Sequence, residues 1–349
     1  MQLRRALLAL VAAAVLLALP ATASAGKKAI WGPLTMPDGS SAFPVYEELG
    51  VDVLQMGIVW ARVAPTRPAR PKDPRDPAYR FPPELDGAIR AARSRDIEIL
   101  FMVRGSPRWA NGNREIRFAP TNDADYANFM TALARRYPGV RMYMVWGETN
   151  FDAGGSFSPM PDNSRIGPRR YARLLDKAYV ALNRVRKRNI VIGGNTFSAG
   201  GVKPAQFVRW MRLPRGKKPR FDWFGHNPFG ARFPDIRQDP LAIGYRDICD
   251  VDTFSRELRR SFPRKKLWLS EYTVSSDRST RAFNFYVSRA DQAKWLTAAY
   301  RIARKRYIAG LGWFNLHDED PAVRRSLTNG LMTFSGERKP AFFAYKRAR

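Results

Sequence analysis

The stretch Val140-Arg141-Met142-Tyr143-Met144-Val145-Trp146-Gly147-Glu148-Thr149-Asn150 decides how the chain is read. Its apolar run has the length and composition of a buried strand, and it ends on a carboxylate. A second stretch repeats the arrangement, Leu267-Trp268-Leu269-Ser270-Glu271-Tyr272. Strands of this kind, alternating with amphipathic helices, build a parallel barrel whose chemistry sits where the strands end, so a glutamate there is placed for work rather than for packing. Glu148 and Glu271 lie about three strand-plus-helix units apart at roughly 40 residues each. That spacing puts them on a fourth and a seventh strand, facing each other across one pocket.

Working outward, eight strand segments are expected at Ala29–Leu34, Val51–Trp60, Ile97–Val103, Val140–Trp146, Ile190–Gly193, Phe221–Gly225, Leu267–Ser270 and Ile308–Phe314. Helical patterns fall between them at Phe43–Leu49, Pro83–Arg95, Asp123–Tyr137, Pro168–Arg188, Pro204–Met211, Val251–Ser261 and Arg289–Arg306, with a last one at Pro340–Arg347. The alternation predicts an α/β fold, a closed (β/α)8 TIM barrel in a single domain spanning 26–349. No dinucleotide-type glycine turn follows the first strand, which weighs against an open doubly wound sheet. The connections after strands two, four, six, seven and eight are long, whereas the returns from helix to strand are mostly short. Insertions thus gather on the face where the strands end. The arginine- and proline-rich segment from Arg62 to Arg80 is expected as a basic rim of that face.

The start of the chain reads as a secretory signal over residues 1–25. Arg4 and Arg5 precede an apolar run from Ala6 to Leu19, and small residues lead to a cleavage site near Ala25. A secreted protein without an integral membrane segment is therefore expected. The single cysteine, Cys249, excludes an intramolecular disulfide framework. The formal net charge is +29, a field that attracts polyanions. The basic residues are spread through most helices, and no zinc spacing or RNA-binding aromatic motif accompanies them, so nucleic acid is not the expected partner. An acidic glycan is one candidate, and a monomer is the default.

Cleaving a glycosidic bond needs an acid to protonate the leaving oxygen and a second carboxylate to attack or stabilise the sugar cation. Glu148 and Glu271 satisfy this pair of roles. Trp146-Gly147-Glu148-Thr149-Asn150 resembles the Trp-Asn-Glu-Pro-Asn motif of clan A glycoside hydrolases, and Leu267 to Glu271 is similar to their seventh-strand nucleophile segment. Further pieces agree in order: Ser106-Pro107-Arg108-Trp109-Ala110, His226-Asn227-Pro228-Phe229-Gly230, and Gly330-Leu331 followed by Lys339-Pro340-Ala341. The likeness, in the style of families 5 and 39, runs from Trp31 to the end of the chain. It implies Glu148 as acid/base and Glu271 as nucleophile in a retaining double displacement without a cofactor. It also marks three departures. The asparagine that precedes the acid/base in the family is Gly147, the tyrosine after the sixth strand is Phe229, and an arginine on the second strand is Gln55. Asn150, Gln55 or Asn227 are candidates for the vacated roles.

Aromatic residues near strand ends suit the apolar faces of sugar rings. Trp60, Trp109, Tyr272 and Trp313 are expected to bind substrate on that ground, Trp313 also by its match to the family's stacking position. There are two histidines. His226 is expected as a hydrogen-bonding residue of the pocket, and His317-Asp318-Glu319-Asp320 lacks the spacing of a zinc protease, so no metal is expected. No Gly-x-Ser-x-Gly elbow supports a serine hydrolase. Two other readings stand beside the glycosidase: a non-catalytic carbohydrate-binding barrel, raised by Gly147 and Phe229, and a charge-driven adhesion protein for polyanions.

Overall fold

The computed structural model describes residues 26–151, 157–158 and 164–348. The expected signal over residues 1–25 lies outside them. Eight parallel strands pair in sequence order and close on themselves. They are β1 Lys27–Trp31, β2 Val53–Val59, β3 Glu98–Arg104, β4 Met142–Val145, β5 Ile190–Phe197, β6 Trp223–Asn227, β7 Lys266–Tyr272 and β8 Ile308–Phe314. The (β/α)8 barrel expected from the alternation is the fold found. Among the described residues no helix is long and apolar enough to cross a membrane.

The helices start where local chemistry favours it. Asn122 caps the helix Asp123–Arg136 by accepting from the Ala124 amide, with Asp123 and Asp125 in its first turn and Arg135 and Arg136 in its last. Ser288 accepts from the Asp291 amide at the head of Arg289–Ala303, and proline opens Pro204–Trp210 and Pro340–Arg347. Two short helices, Trp60–Val63 and Arg108–Asn111, follow β2 and β3 directly. Their single turns carry too few residues for an amphipathic period to show in the sequence.

Side chains alternate across each strand, so two cores form. A small one fills the barrel with Ala29, Val53, Leu100, Met142, Met144, Ile192 and Trp268. A larger one lies between the outer strand faces and the helices. β5 runs four residues past its expected end at Gly193, because the glycines belong to the strand rather than to a turn. A Cβ on Gly193 would meet Leu175 at 2.5 Å, and Gly194, at φ +84°, lies against the Phe224 ring. Pairing of β5 with β6 shifts register between Gly194 and Thr196, with Asn195 at φ 49° in the bulge.

Candidate active site

Every strand of the pair that carries a glutamate departs from regular geometry at the glutamate. On β7, Trp268 points into the barrel, where it stacks on Trp223, and Leu269 points out into the larger core. Ser270 points in again, toward Gln55 and Met144. Strict alternation would then turn Glu271 outward. The β7–β8 pairing is irregular between Leu269 and Tyr272, and Glu271 also faces the cleft over the barrel mouth. The Ser270 carbonyl leaves the ladder and accepts from Trp31 Nε1 at 3.0 Å and Gln55 Nε2 at 2.8 Å. Room for this comes from Gly312 on β8, where a Cβ would lie 2.3 Å from that oxygen.

Glu148 stands on the turn after β4, with Trp146 at φ 67° and Glu148 itself at φ 45°. Non-glycine residues hold such angles only where surroundings fix them. Thr149 and Asn150 are the fixings. The Thr149 amide donates to the Asn195 carbonyl and its hydroxyl to the Gly194 carbonyl. Asn150 Nδ2 donates to the Phe197 and Val202 carbonyls, each at 2.9 Å, and its Oδ1 accepts from the Phe197 amide at 2.6 Å.

The two carboxyls meet in one cleft of about 390 Å3 whose walls include Trp31, Val59, Met102, Arg104, Gly147 and Phe314. Asn227, the last residue of β6, stands between them: its Nδ2 is 3.4 Å from Glu148 Oε1, and its amide also favours the ionised form of Glu271. Burial raises the Glu148 carboxyl above its usual range, against the opposing pull of Asn227 and Arg104. Glu271 is pushed up to about 8 by burial first and by the Glu148 charge second, with Arg104 and Asn227 again opposing. Two buried carboxyls placed together favour one shared proton over two charges. A separate cavity of about 540 Å3 sits at the opposite end of the barrel, beside Glu98 and Met142 where strands begin, away from this chemistry.

Of the residues expected to bind substrate or to fill a vacated role, the structure brings only Asn227 beside the glutamates. Asn150 is fully buried and spent on the β5 end. Gln55 lies inside the barrel as a brace between β2 and β7. His226 is fully buried, its Nε2 donating to the Arg246 carbonyl at 2.7 Å and its Nδ1 therefore accepting from Thr196 Oγ1 at 2.8 Å. Burial lowers its pKa to about 4, so it is neutral. Trp60 stacks on Phe129 in the outer core. Trp109 donates to the Ala64 carbonyl and lies under the Arg67 guanidinium. Tyr272 and Trp313 pack edge to face outside the barrel, with Trp313 Nε1 on the Asn329 carbonyl. The reason is parity: along β8, Gly310, Gly312 and Phe314 face the barrel axis, and Trp313 faces away. Phe314 is thus the cleft residue, and on β1 it is Trp31. The rim Arg62 to Arg80 does not line the cleft; Arg67 and Arg70 pair with Asp125 and Asp73. The cation that faces the glutamates is Arg104, on β3 rather than β2.

Gly147 has a steric cause. A Cβ there would sit 2.9 Å from Met102 Sδ and 3.7 Å from Asn195 Nδ2. A side chain at this position would have to displace the end of Met102. Among the described residues no group of three or more His, Cys, Asp and Glu could hold a metal ion; Asp318 is bonded instead to Lys339.

This is the barrel of known glycoside hydrolases. A family 39 glycoside hydrolase from the gut symbiont Bacteroides cellulosilyticus superposes with a TM-score of 0.65 at 17% identity, covering 93% of this chain and 63% of its own. A glucosidase from Croceicoccus marinus gives 0.66 at 17%, covering 92% and 66%. A family 5 subfamily 18 enzyme from Streptomyces cattleya, in complex with GlcNAc, gives 0.61 at 18%, covering 93% and 80%. The chain thus spans about two thirds of the length of the first two. At these identities the likeness is one of fold. No family model and no curated protein matches the sequence.

Proposed function

We propose that the chain is a retaining O-glycosyl hydrolase acting outside the cell on a glycoside, with Glu148 as acid/base and Glu271 as nucleophile. One observation carries the reading: two buried carboxyls on the ends of β4 and β7 converge on one cleft, share Asn227 and face Arg104. The shared proton is what the first step requires. As positive charge develops at the anomeric carbon it favours ionised Glu271 by direct attraction, which leaves the proton on Glu148 beside the leaving oxygen. Glu271 then bonds the anomeric carbon while the aglycone oxygen departs with the Glu148 proton. In the second step Glu148 takes a proton from water, the water oxygen bonds the anomeric carbon, and Glu271 leaves as carboxylate.

Gly147 favours a second reading, a carbohydrate-binding barrel without turnover, because the residue before the acid/base carries no side-chain amide. The experiment is turnover of a panel of aryl glycosides, with the first-formed anomer followed by NMR, for the wild type, Glu148→Gln and Glu271→Gln. Retained configuration, loss of turnover in Glu271→Gln and slowed deglycosylation in Glu148→Gln support the enzyme. Glycan binding without wild-type turnover, unchanged by Glu271→Gln, supports the binding barrel.

A further inference from the structure

Beyond the glutamates the cleft widens into a second compartment of about 970 Å3, also bordered by Glu148 and Glu271. Along its wall runs a series of phenylalanines from four different strand ends. Phe151 lies 5.0 Å from Phe197, Phe197 6.2 Å from Phe229, Phe229 5.4 Å from Phe283, and Phe283 6.3 Å from Phe285, centroid to centroid. All five are half-buried, with part of each ring open to the cavity. The loop after β7 is built to present its two: the Thr280 amide donates to the Phe283 carbonyl and Thr280 Oγ1 accepts from the Phe283 amide.

The charged groups of this wall are committed to one another. Arg232 is bonded to Asp247 and Asp250, and Arg281 grips both carboxylate oxygens of Glu319. The wall's neutral polar side chains are Ser198, Tyr245 and Asn284, few for the hydroxyls that a sugar ring seated here would bury, and each hydroxyl left without a partner weakens binding. An aromatic ring would instead bury about 150–250 Å2 of apolar surface against surface of its own kind. The phenylalanine rings are tilted against one another, at 32°, 46°, 61° and 85°. They do not form the single flat platform on which a sugar stacks.

We propose that the substrate is a glycoside of an apolar aromatic alcohol. Its sugar sits over the glutamates against Trp31 and Arg104, and its aglycone sits among Phe197, Phe229 and Phe283. This rests on the hydrolytic reading of Glu148 and Glu271, but the compartment is testable without turnover.

The first arm measures binding of free 2-naphthol, of 1-octanol and of cellobiose to the full chain by calorimetry. Saturable naphthol binding that survives Glu148→Gln and weakens at least tenfold in Phe229→Ala/Phe283→Ala supports the proposal. The milder Phe229→Leu, with a native near-ultraviolet circular dichroism spectrum, weakens it less. Naphthol binding indifferent to the phenylalanines, or tighter binding of octanol or cellobiose, overturns it. The second arm compares kcat/KM for naphthyl and methyl glycosides of one sugar. The double variant is expected to lose at least tenfold on the naphthyl glycoside and little on the methyl one, and equal losses overturn the proposal. Phenylalanine-dependent naphthol binding with no turnover of any glycoside leaves the aromatic compartment standing and removes the hydrolytic reading.

Discussion

Gln55 Nε2 lies 2.8 Å from the carbonyl oxygen of Ser270, the residue before Glu271. Gln55 Oε1 accepts in turn from Trp268 Nε1 at 3.0 Å and from Ser270 Oγ at 3.4 Å. One side chain inside the barrel thus holds the irregular stretch of β7 that brings Glu271 to the cleft. The amide acts through the backbone it fixes rather than on substrate.

Replacing it should therefore damage rate more than binding. Gln55→Met is expected to lower kcat on the order of a hundredfold with KM little changed, and to cost about 1–3 kcal/mol of stability for the partners left unbonded. Steady-state kinetics together with a urea melt check this; an unchanged kcat in a folded variant sinks the positioning role.

Glu271 also ties stability to pH. Its carboxyl is pushed up to about 8 in the folded chain from 4.5, so the native state holds a proton that the unfolded state has released between those values. Stability attributable to this group falls as pH rises through that window. Glu271→Gln should melt with the wild type near pH 4 and above it at pH 9, by on the order of a few kcal/mol. Melting curves across the range that stay parallel would contradict the buried, proton-sharing pair.

Lys339 is fully buried, its Nζ bonded to Asp318 Oδ1 at 2.7 Å, Ser276 Oγ at 3.0 Å and the Thr328 carbonyl at 3.2 Å. It joins the loops after β7 and β8. Burial holds the Asp318 carboxyl above its usual range despite the ammonium, so stranding either partner is costly. Lys339→Met is expected to lose about 3–5 kcal/mol, and adding Asp318→Asn to recover part of it. Denaturant midpoints for the single and double variants decide the matter: no recovery means the pair is not the source of the loss.

Gly147 and Met102 should behave as a unit. Gly147→Asn alone forces a side chain against Met102 Sδ, 2.9 Å from where its Cβ would sit, and is expected to destabilise by about 1–3 kcal/mol. With Met102→Ala the same substitution should be tolerated, giving an interaction energy above 1 kcal/mol in the double-mutant cycle. Additive losses would show that Met102 is not what excludes the larger residue.

The sequence by itself determined the barrel and the two glutamates. Eight apolar runs alternating with amphipathic helices admit one closed parallel arrangement, and a carboxylate ending two of those runs is visible without coordinates. Only the tertiary structure decided which neighbours share the cleft. A strand sends successive residues to opposite faces, so a reading one residue off exchanges Trp313 for Phe314, and a single irregularity in β7 reverses where Glu271 points. Gln55, Asn150 and His226 have the right chemistry for substrate, but they are hydrogen-bonded to residues of strands distant in sequence. The phenylalanine compartment comes from four strand ends whose residues are scattered from Phe151 to Phe285. No local pattern records such a meeting, because it depends on barrel closure bringing those strand ends to one face.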